Sequence, residues 1–220
     1  TYFWEKIKDK VQGKTMVEAA LEINHWCAGE VMYQGTDMRT GSALEIYRSG
    51  VGRCGEEAVF VVNVMRSAGI PARPVYVPRW SHCDDNHAWV EVWCDGDWHY
   101  LGACEPEAVL DKSWFTNAAS RAMMIGSRWY DRAMPDEKVI GKDGMNRIIN
   151  LLGKYAKTRW ITITVEDLDG TPAAGAKVRA EVMNYGEFSP IAIMEADKNG
   201  CISFETGFGS LLIGAVYDGA

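Results

Sequence analysis

The sequence lacks any apolar run approaching the roughly 18–20 residues that a membrane-spanning helix needs, so no span is expected in it. It holds no Cys-x-x-Cys pair, which excludes a zinc ribbon and a thioredoxin-like redox motif. It has no basic stripe, and with a net charge of −7 nucleic acid is not an expected partner. Internal repeats, low-complexity tracts and a secretory signal are also missing, and Thr1 stands where an initiator methionine would, which reads as a processed or trimmed product. The six cysteines (Cys27, Cys54, Cys83, Cys94, Cys104, Cys201) are too few and too scattered for a disulfide scaffold. Each thiol is therefore judged singly.

What is present is a globular mix, 47% hydrophobic and 24% charged over 220 residues. That size suits one catalytic-sized unit plus a small module. Nine tryptophans could stack sugars or peptides in a site, or fill a core.

Two capping boxes open the patterned part of the chain. Thr15-Met16-Val17-Glu18 leads into Val17, Ala20, Leu21 and Asn24 at helical spacing, and Ser42-Ala43-Leu44-Glu45 starts a shorter helix that stops before Gly50 and Gly52. Residues 54–69 are apolar on nearly every side, with Glu56 and Glu57 in the first turn and Gly69 and Pro71 as the stop. The spacing predicts a buried central helix, length outweighing the β-branched residues that would suit a strand. After Pro71 the pattern turns to strands. Residues 73–78 form a short one, and 87–94 and 97–101 form a hairpin around Asp95-Gly96. Segments 118–125 and 148–156 stay open between helix and strand, and 135–144 reads as a surface loop. From Arg159 onward, alternation at 160–165, 176–183 and 201–204 between Gly-containing turns is purely β in character. The reading is an α+β domain over residues 1–158, a buried helix packed on an antiparallel sheet, followed by a small all-β sandwich over 159–220. At about 60 residues the second part is shorter than the ~100 typical of sandwiches, which suggests a fragment or an unusually small module.

Cys54 stands where a glycine-flanked loop enters the central helix. Unpaired N–H groups and the positive dipole end there favour thiolate, and the same N–H groups could hold an oxyanion. A buried structural cysteine is the competing account. His87 opens the best-defined strand after the polar segment Ser81-His82-Cys83-Asp84-Asp85-Asn86, where an imidazole could reach a neighbouring helix terminus, or be satisfied by backbone. His82, Cys83, Asp84, Asp85 and His87 crowd together, yet no second ligand pair stands at a recognised spacing. Neither a metal nor another cofactor is expected.

The runs Ser49-Gly50-Val51-Gly52-Arg53-Cys54-Gly55-Glu56-Glu57, Ala68-Gly69-Ile70-Pro71-Ala72-Arg73 and Asn86-His87-Ala88-Trp89-Val90-Glu91-Val92-Trp93 resemble, in order, the transglutaminase-like cysteine-hydrolase core of transglutaminases, bacterial proteases and peptide N-glycanases. The resemblance covers about residues 40–105 and implies a papain-like α+β fold with Cys54 as nucleophile and His87 as general base. It also implies an aspartate on the returning strand, and here the sequence departs, with Gly102 in that place. A two-residue turn at Asp95-Gly96 makes paired residue numbers sum to 191, setting Trp89 opposite Gly102 and His87 opposite Cys104. Glu105 is the nearest acid and is similar to the Cys-Glu that follows the aspartate in peptide N-glycanases. Strict alternation turns it to the wrong face, so it can serve as third member only if a bulge or the strand end re-aims it. Trp26 and Tyr33 lie where the family places a groove-lining or oxyanion-supporting aromatic; core packing is the other account of Trp26. Trp26 and Trp89 are the substrate-binding candidates. Downstream, Asp167-Leu168-Asp169-Gly170-Thr171-Pro172, Gly175-Ala176-Lys177-Val178 and Asp197-Lys198-Asn199-Gly200 resemble the carboxypeptidase-regulatory-like β-sandwich, a spacer in bacterial surface and periplasmic proteins.

Together these imply cysteine-dependent acyl transfer on an amide, hydrolysis ahead of crosslinking, with a protein, peptide or glycopeptide as substrate and a periplasmic or extracellular location. Two alternatives stay open. One is a non-catalytic binding protein with an aromatic groove around Trp89, Trp93 and Trp98, and the other is a peptide N-glycanase-like deglycosylase. The sequence does not set the oligomeric state.

Overall fold

The computed structural model describes residues 2–37, 39–130 and 138–217. The chain forms two compact units, Thr1–Tyr76 with His87–Thr116, and Val77–Asn86 with Asn117–Ala220. The fold is mixed α+β, with helices packed on antiparallel sheet.

The first unit begins with α1 (Tyr2–Val11), a helix the sequence pattern left unread, and α2 (Met16–Glu30). Both capping boxes form. Thr15 Oγ1 accepts from the Glu18 N–H at the head of α2, and Ser42 Oγ accepts from the Glu45 N–H at the head of α3 (Ala43–Ser49). Two short strands, β1 (Met32–Tyr33) and β2 (Val51–Gly52), pair in parallel. Gly50 takes a left-handed φ of 69° to end α3, which only glycine does without strain. The central helix α4 (Cys54–Ser67) buries Ala58, Phe60, Val61, Val62, Val64 and Met65 and packs on β4 (His87–Cys94). In this unit the strands run in the order β5 (Asp97–Leu101), β4, β3 (Ala72–Val77). The hairpin takes the expected register, with Val90 opposite Leu101 and Cys94 opposite Asp97. Between β3 and β4 the buried Arg73 Nε donates to Glu91 Oε2 at 2.6 Å. The Arg73 guanidinium also lies 4.1 Å from the Trp98 ring centre, so the charge is both paired and covered.

The second unit contains α5 (Thr116–Ala119), β6 (Gly126–Tyr130), β7 (Val139–Asp143) and β8 (Asn146–Asn150), with β6-β8-β7 as neighbours in one sheet. It continues through β9 (Thr158–Thr164), β10 (Lys177–Asn184), β11 (Glu187–Glu195), β12 (Cys201–Gly207) and β13 (Leu212–Val216), paired β12-β9 and β11-β10-β13. Its core holds Met123, Met124, Val178, Val182, Ile191 and Phe204. Three expectations change here. Residues 139–143 of the expected surface loop form β7, paired with β8 through Lys142 and Arg147, while 135–137 lie outside the described residues. Of the two open segments, 118–125 holds the end of α5 and then an irregular stretch, and 148–156 holds the end of β8 and a 3-10 turn over Leu152–Lys154. Packing also divides the chain elsewhere than the composition shift at Thr158, because Met123 and Met124 already belong to the second core.

Phe60 is fully buried on α4. Phe60→Ala is expected to cost about 3–5 kcal/mol, which lowers the melting temperature of the first unit by roughly 6–20 °C. Thermal denaturation followed by circular dichroism checks this, and an unchanged melting temperature would show that α4 is not its core.

Candidate active site

Cys54 is the first residue of α4 and is half-buried. The backbone N–H groups of Ala88 and Gly55 point at its sulfur, so the thiol sits at the start of β4, against the residue that follows His87. Burial pushes the thiol up, and those two N–H groups pull it down without offsetting the burial. The thiolate expected from a helix terminus is therefore not the resting form. The first turn of α4 is also less open than expected, since the Glu56 and Glu57 N–H groups both donate to the Arg53 carbonyl at 2.8 and 2.9 Å.

His87 is 7% exposed. Its ring packs on Trp89, Trp114 and Phe115 with centroid separations of 5.9, 4.8 and 4.9 Å. Trp89, a substrate-binding candidate on sequence, is fully buried and stacks on Phe115 at 4.8 Å. Its ring is covered by His87 and Phe115 and presents no surface to a substrate in this structure. Trp26 packs against Tyr47 and Phe60, both 6.0 Å away between ring centres, inside the helical core. The aromatic exposed beside the imidazole is instead Trp114, which the unpatterned stretch after Pro106 concealed.

The expected pairing beyond Leu101 does not continue, because the chain turns. Gly102 and Glu105 form an isolated antiparallel bridge, the Glu105 N–H donates to the Gly102 carbonyl at 3.1 Å, and Cys104 takes a left-handed φ of 57°. This turn brings Glu105 Oε2 to 3.9 Å from His87 Nε2, the re-aiming that strict alternation forbids. A Cβ built on Gly102 would overlap Glu105 Oε2 and lie 2.8 Å from Glu105 Cβ. The glutamate side chain thus fills the space that a side chain at 102 would need. The turn is clamped by the buried Asn24 of α2. Its amide N–H donates to the Gly102 carbonyl at 2.9 Å and the Glu105 carbonyl at 3.4 Å, and its oxygen accepts from the Cys104 N–H at 3.0 Å. Asn24 was legible only as a polar residue at a buried helical position. Downstream, Asp111 accepts from the Tyr100 N–H and pairs with His99 Nδ1, each within 2.9 Å, which pins the loop carrying Trp114 and Phe115.

The two acids after Cys54 have opposite environments. Glu56 accepts from the Thr36 hydroxyl and from the Gly41 and Arg53 N–H groups, and its carboxyl is held below the usual range despite burial. Glu57 is 4% exposed; burial and the neighbouring Glu105 charge push it up to about 8. Burial also pushes Glu105 up, and the Trp114 indole N–H pulls the other way.

The segment His82–Asp85, weighed as a metal site, is structural in the second unit. The Asn184 amide donates to the Trp80, Cys83 and Asp85 carbonyls, and Asp84 Oδ1 accepts from the Tyr185 N–H. A larger cleft of about 1280 Å³ in that unit, lined by Arg121, Tyr155 and Phe188 among others, contains neither Cys54 nor His87.

The family model described as Transglutaminase-like superfamily matches residues 5–103, a stretch that contains Cys54 and His87 and stops two residues before Glu105. No curated protein sequence matches the chain. Solved structures similar to it include LapG of Legionella pneumophila, at 17% identity and a TM-score of 0.40, covering 49% of this chain and 64% of that one. Red sea bream transglutaminase is similar at 11% identity and a TM-score of 0.44, covering 91% of this chain and 48% of that one. The chain spans less than two thirds of the length of either. Among the described residues no helix is long and apolar enough to cross a membrane.

Because the Glu57 carboxyl is raised in the folded chain, it favours folding most below its unfolded value, near 4.5, and that contribution falls away as pH rises toward 8. Glu57→Gln is therefore expected to melt close to the parent at pH 4.5 and above it at pH 8. Equal melting temperatures at both pH values would show that Glu57 is not a buried acid.

Proposed function

We propose that the chain is a transglutaminase-like cysteine hydrolase that cleaves an amide through Cys54, His87 and Glu105. The observation that carries this reading is the Glu105 carboxylate 3.9 Å from His87 Nε2, in the space left by Gly102, with the Cys54 sulfur at the start of the same strand. With Nε2 turned to Glu105, Nδ1 is the nitrogen assigned to the thiol. The separation exceeds a hydrogen bond and would close as substrate seats, as apo catalytic contacts commonly do.

The chemistry follows from the resting thiol. His87 takes the Cys54 proton as the sulfur attacks the substrate carbonyl, and a C–S bond forms. The carbonyl oxygen takes up the negative charge, held by the Cys54 backbone N–H at the head of α4. The C–N bond then breaks, and His87 returns its proton to the leaving amine. Water attacks the thioester, gives a proton to His87 and releases the acid, and the thiol is restored. Glu105 holds the ring in one tautomer and stabilises the imidazolium, the role an aspartate fills in related triads. The substrate is a protein, peptide or glycopeptide amide. The second unit serves as an accessory β-module, in keeping with a periplasmic or cell-surface setting. The rival reading, a binding protein on the same scaffold, draws support from the burial that holds the Cys54 thiol protonated.

Alkylation of Cys54 by iodoacetamide, mapped by peptide mass, separates the two. A hydrolase predicts a rate above that of glutathione, at least tenfold lower in His87→Ala, whereas a rate no faster than glutathione favours the binder. The third member is tested with an amide substrate found by screening a peptide panel against a Cys54→Ala control. Glu105→Gly and Gly102→Asp are each expected to lower kcat by about 10²–10⁴. The double variant, which removes the overlap and restores an aspartate, is expected to recover part of the loss. No recovery would contradict the exchange of the two positions.

A further inference from the structure

On the Glu105 side of the proposed triad, Glu30, Glu57 and Glu105 border a cleft of about 510 Å³ whose remaining wall includes Ala28, Val31 and Met32, and Glu105 is the triad member it touches. Among the described residues its lining includes no lysine or arginine. Glu57 is buried to 4% exposure, and what acts on it among the described residues is burial and the charge of Glu105. Glu105 Oε2 is likewise buried without a hydrogen-bond partner. Of two desolvated carboxyl groups placed together one stays protonated, and both ionise only when a cation stands between them. Glu56, one residue away, shows what a structural acid in this chain looks like, with three donors on its carboxylate.

The cation such a cleft suits is organic. Among the described residues no three His, Cys, Asp or Glu side chains gather closely enough to hold a metal ion. An apolar wall leading from the exposed Glu30 to the half-buried Glu105 and the buried Glu57 matches an aliphatic arm that ends in a charge. We propose that this cleft is a subsite for a positively charged side chain of the substrate, a lysine-like ammonium on an aliphatic arm, adjoining the amide that Cys54 attacks. The inference rests on the hydrolase reading and gives it a substrate class, a basic peptide. Arrival of the ammonium ionises Glu57, so the acid that is protonated in the empty site becomes a paired carboxylate in the filled one.

The test uses the full chain and three chloroacetamides with the same five-carbon arm, ending in an ammonium, a methyl or a carboxylate. Each rate is read at Cys54 by peptide mass mapping. The ammonium reagent is expected to react about tenfold faster than the methyl reagent, and the carboxylate reagent slower. In Glu30→Gln/Glu57→Gln the ammonium-to-methyl ratio is expected to fall below about two, taken within that variant so that any change in the thiol itself cancels. Should the double variant fail to fold by circular dichroism, Glu30→Gln alone is expected to lower the ratio about two- to threefold. Equal rates for ammonium and methyl arms, or a ratio that the substitutions leave unchanged, would overturn the subsite. The methyl reagent measured against glutathione tests the nucleophile separately, so a fast methyl reaction without charge preference removes the subsite and spares the hydrolase.

Discussion

Everything near Cys54 depends on one packing contact, the head of α4 pressed against the beginning of β4. That contact removes water from a helix terminus, where backbone donors would otherwise be hydrated. The donors therefore find partners inside the protein, the Arg53 carbonyl for two of them and the cysteine sulfur for another. The same loss of water raises the Cys54 thiol, Glu57 and Glu105 together, so a single desolvation sets the protonation state of the whole site.

Adjacent positions on α4 have opposite environments. Glu56 spends its carboxylate on Thr36, Gly41 and Arg53 and fixes the loop before the helix, while Glu57, one residue on, contributes nothing of that kind. Asn24 on α2 has a role like that of Glu56. Its side chain leaves solvent entirely to hold three backbone groups of the 102–105 turn, and the position of Glu105 beneath the imidazole follows. A buried amide with so many backbone partners is expensive to replace, since removing it strands each of them. The acid that faces His87 is thus placed by a helix far away in sequence.

Much of the scaffold could be read from the residues. Capping boxes at Thr15 and Ser42, the apolar run of α4 and the Asp95-Gly96 turn each act over a few residues, and each formed where its local chemistry requires. The register sum of 191 also held, up to Leu101. What was missed needed packing or pairing that a local pattern does not carry. The turn at Gly102 needs Asn24, the helix over Tyr2–Val11 gains its place by packing on α2, and β7 forms because β8 offers it a ladder. Cys54 and His87 were visible as residue types at element ends. The seclusion of Trp89, the exposure of Trp114 and the protonated state of Glu57 were not, because the stretch after Leu101 sets Phe115 on Trp89, leaves Trp114 exposed and brings the Glu105 charge beside Glu57.

The central claim is that a glutamate two residues beyond the matched stretch has taken over the orienting of the imidazole. Nitrogen-15 chemical shifts of the His87 ring, recorded on the intact protein near neutral pH, report its tautomer directly. The account predicts a neutral ring protonated at Nε2, facing Glu105, with Nδ1 carrying the lone pair that receives the thiol proton. A ring protonated at Nδ1 would contradict it, because the nitrogen meant to act as base would already hold its proton.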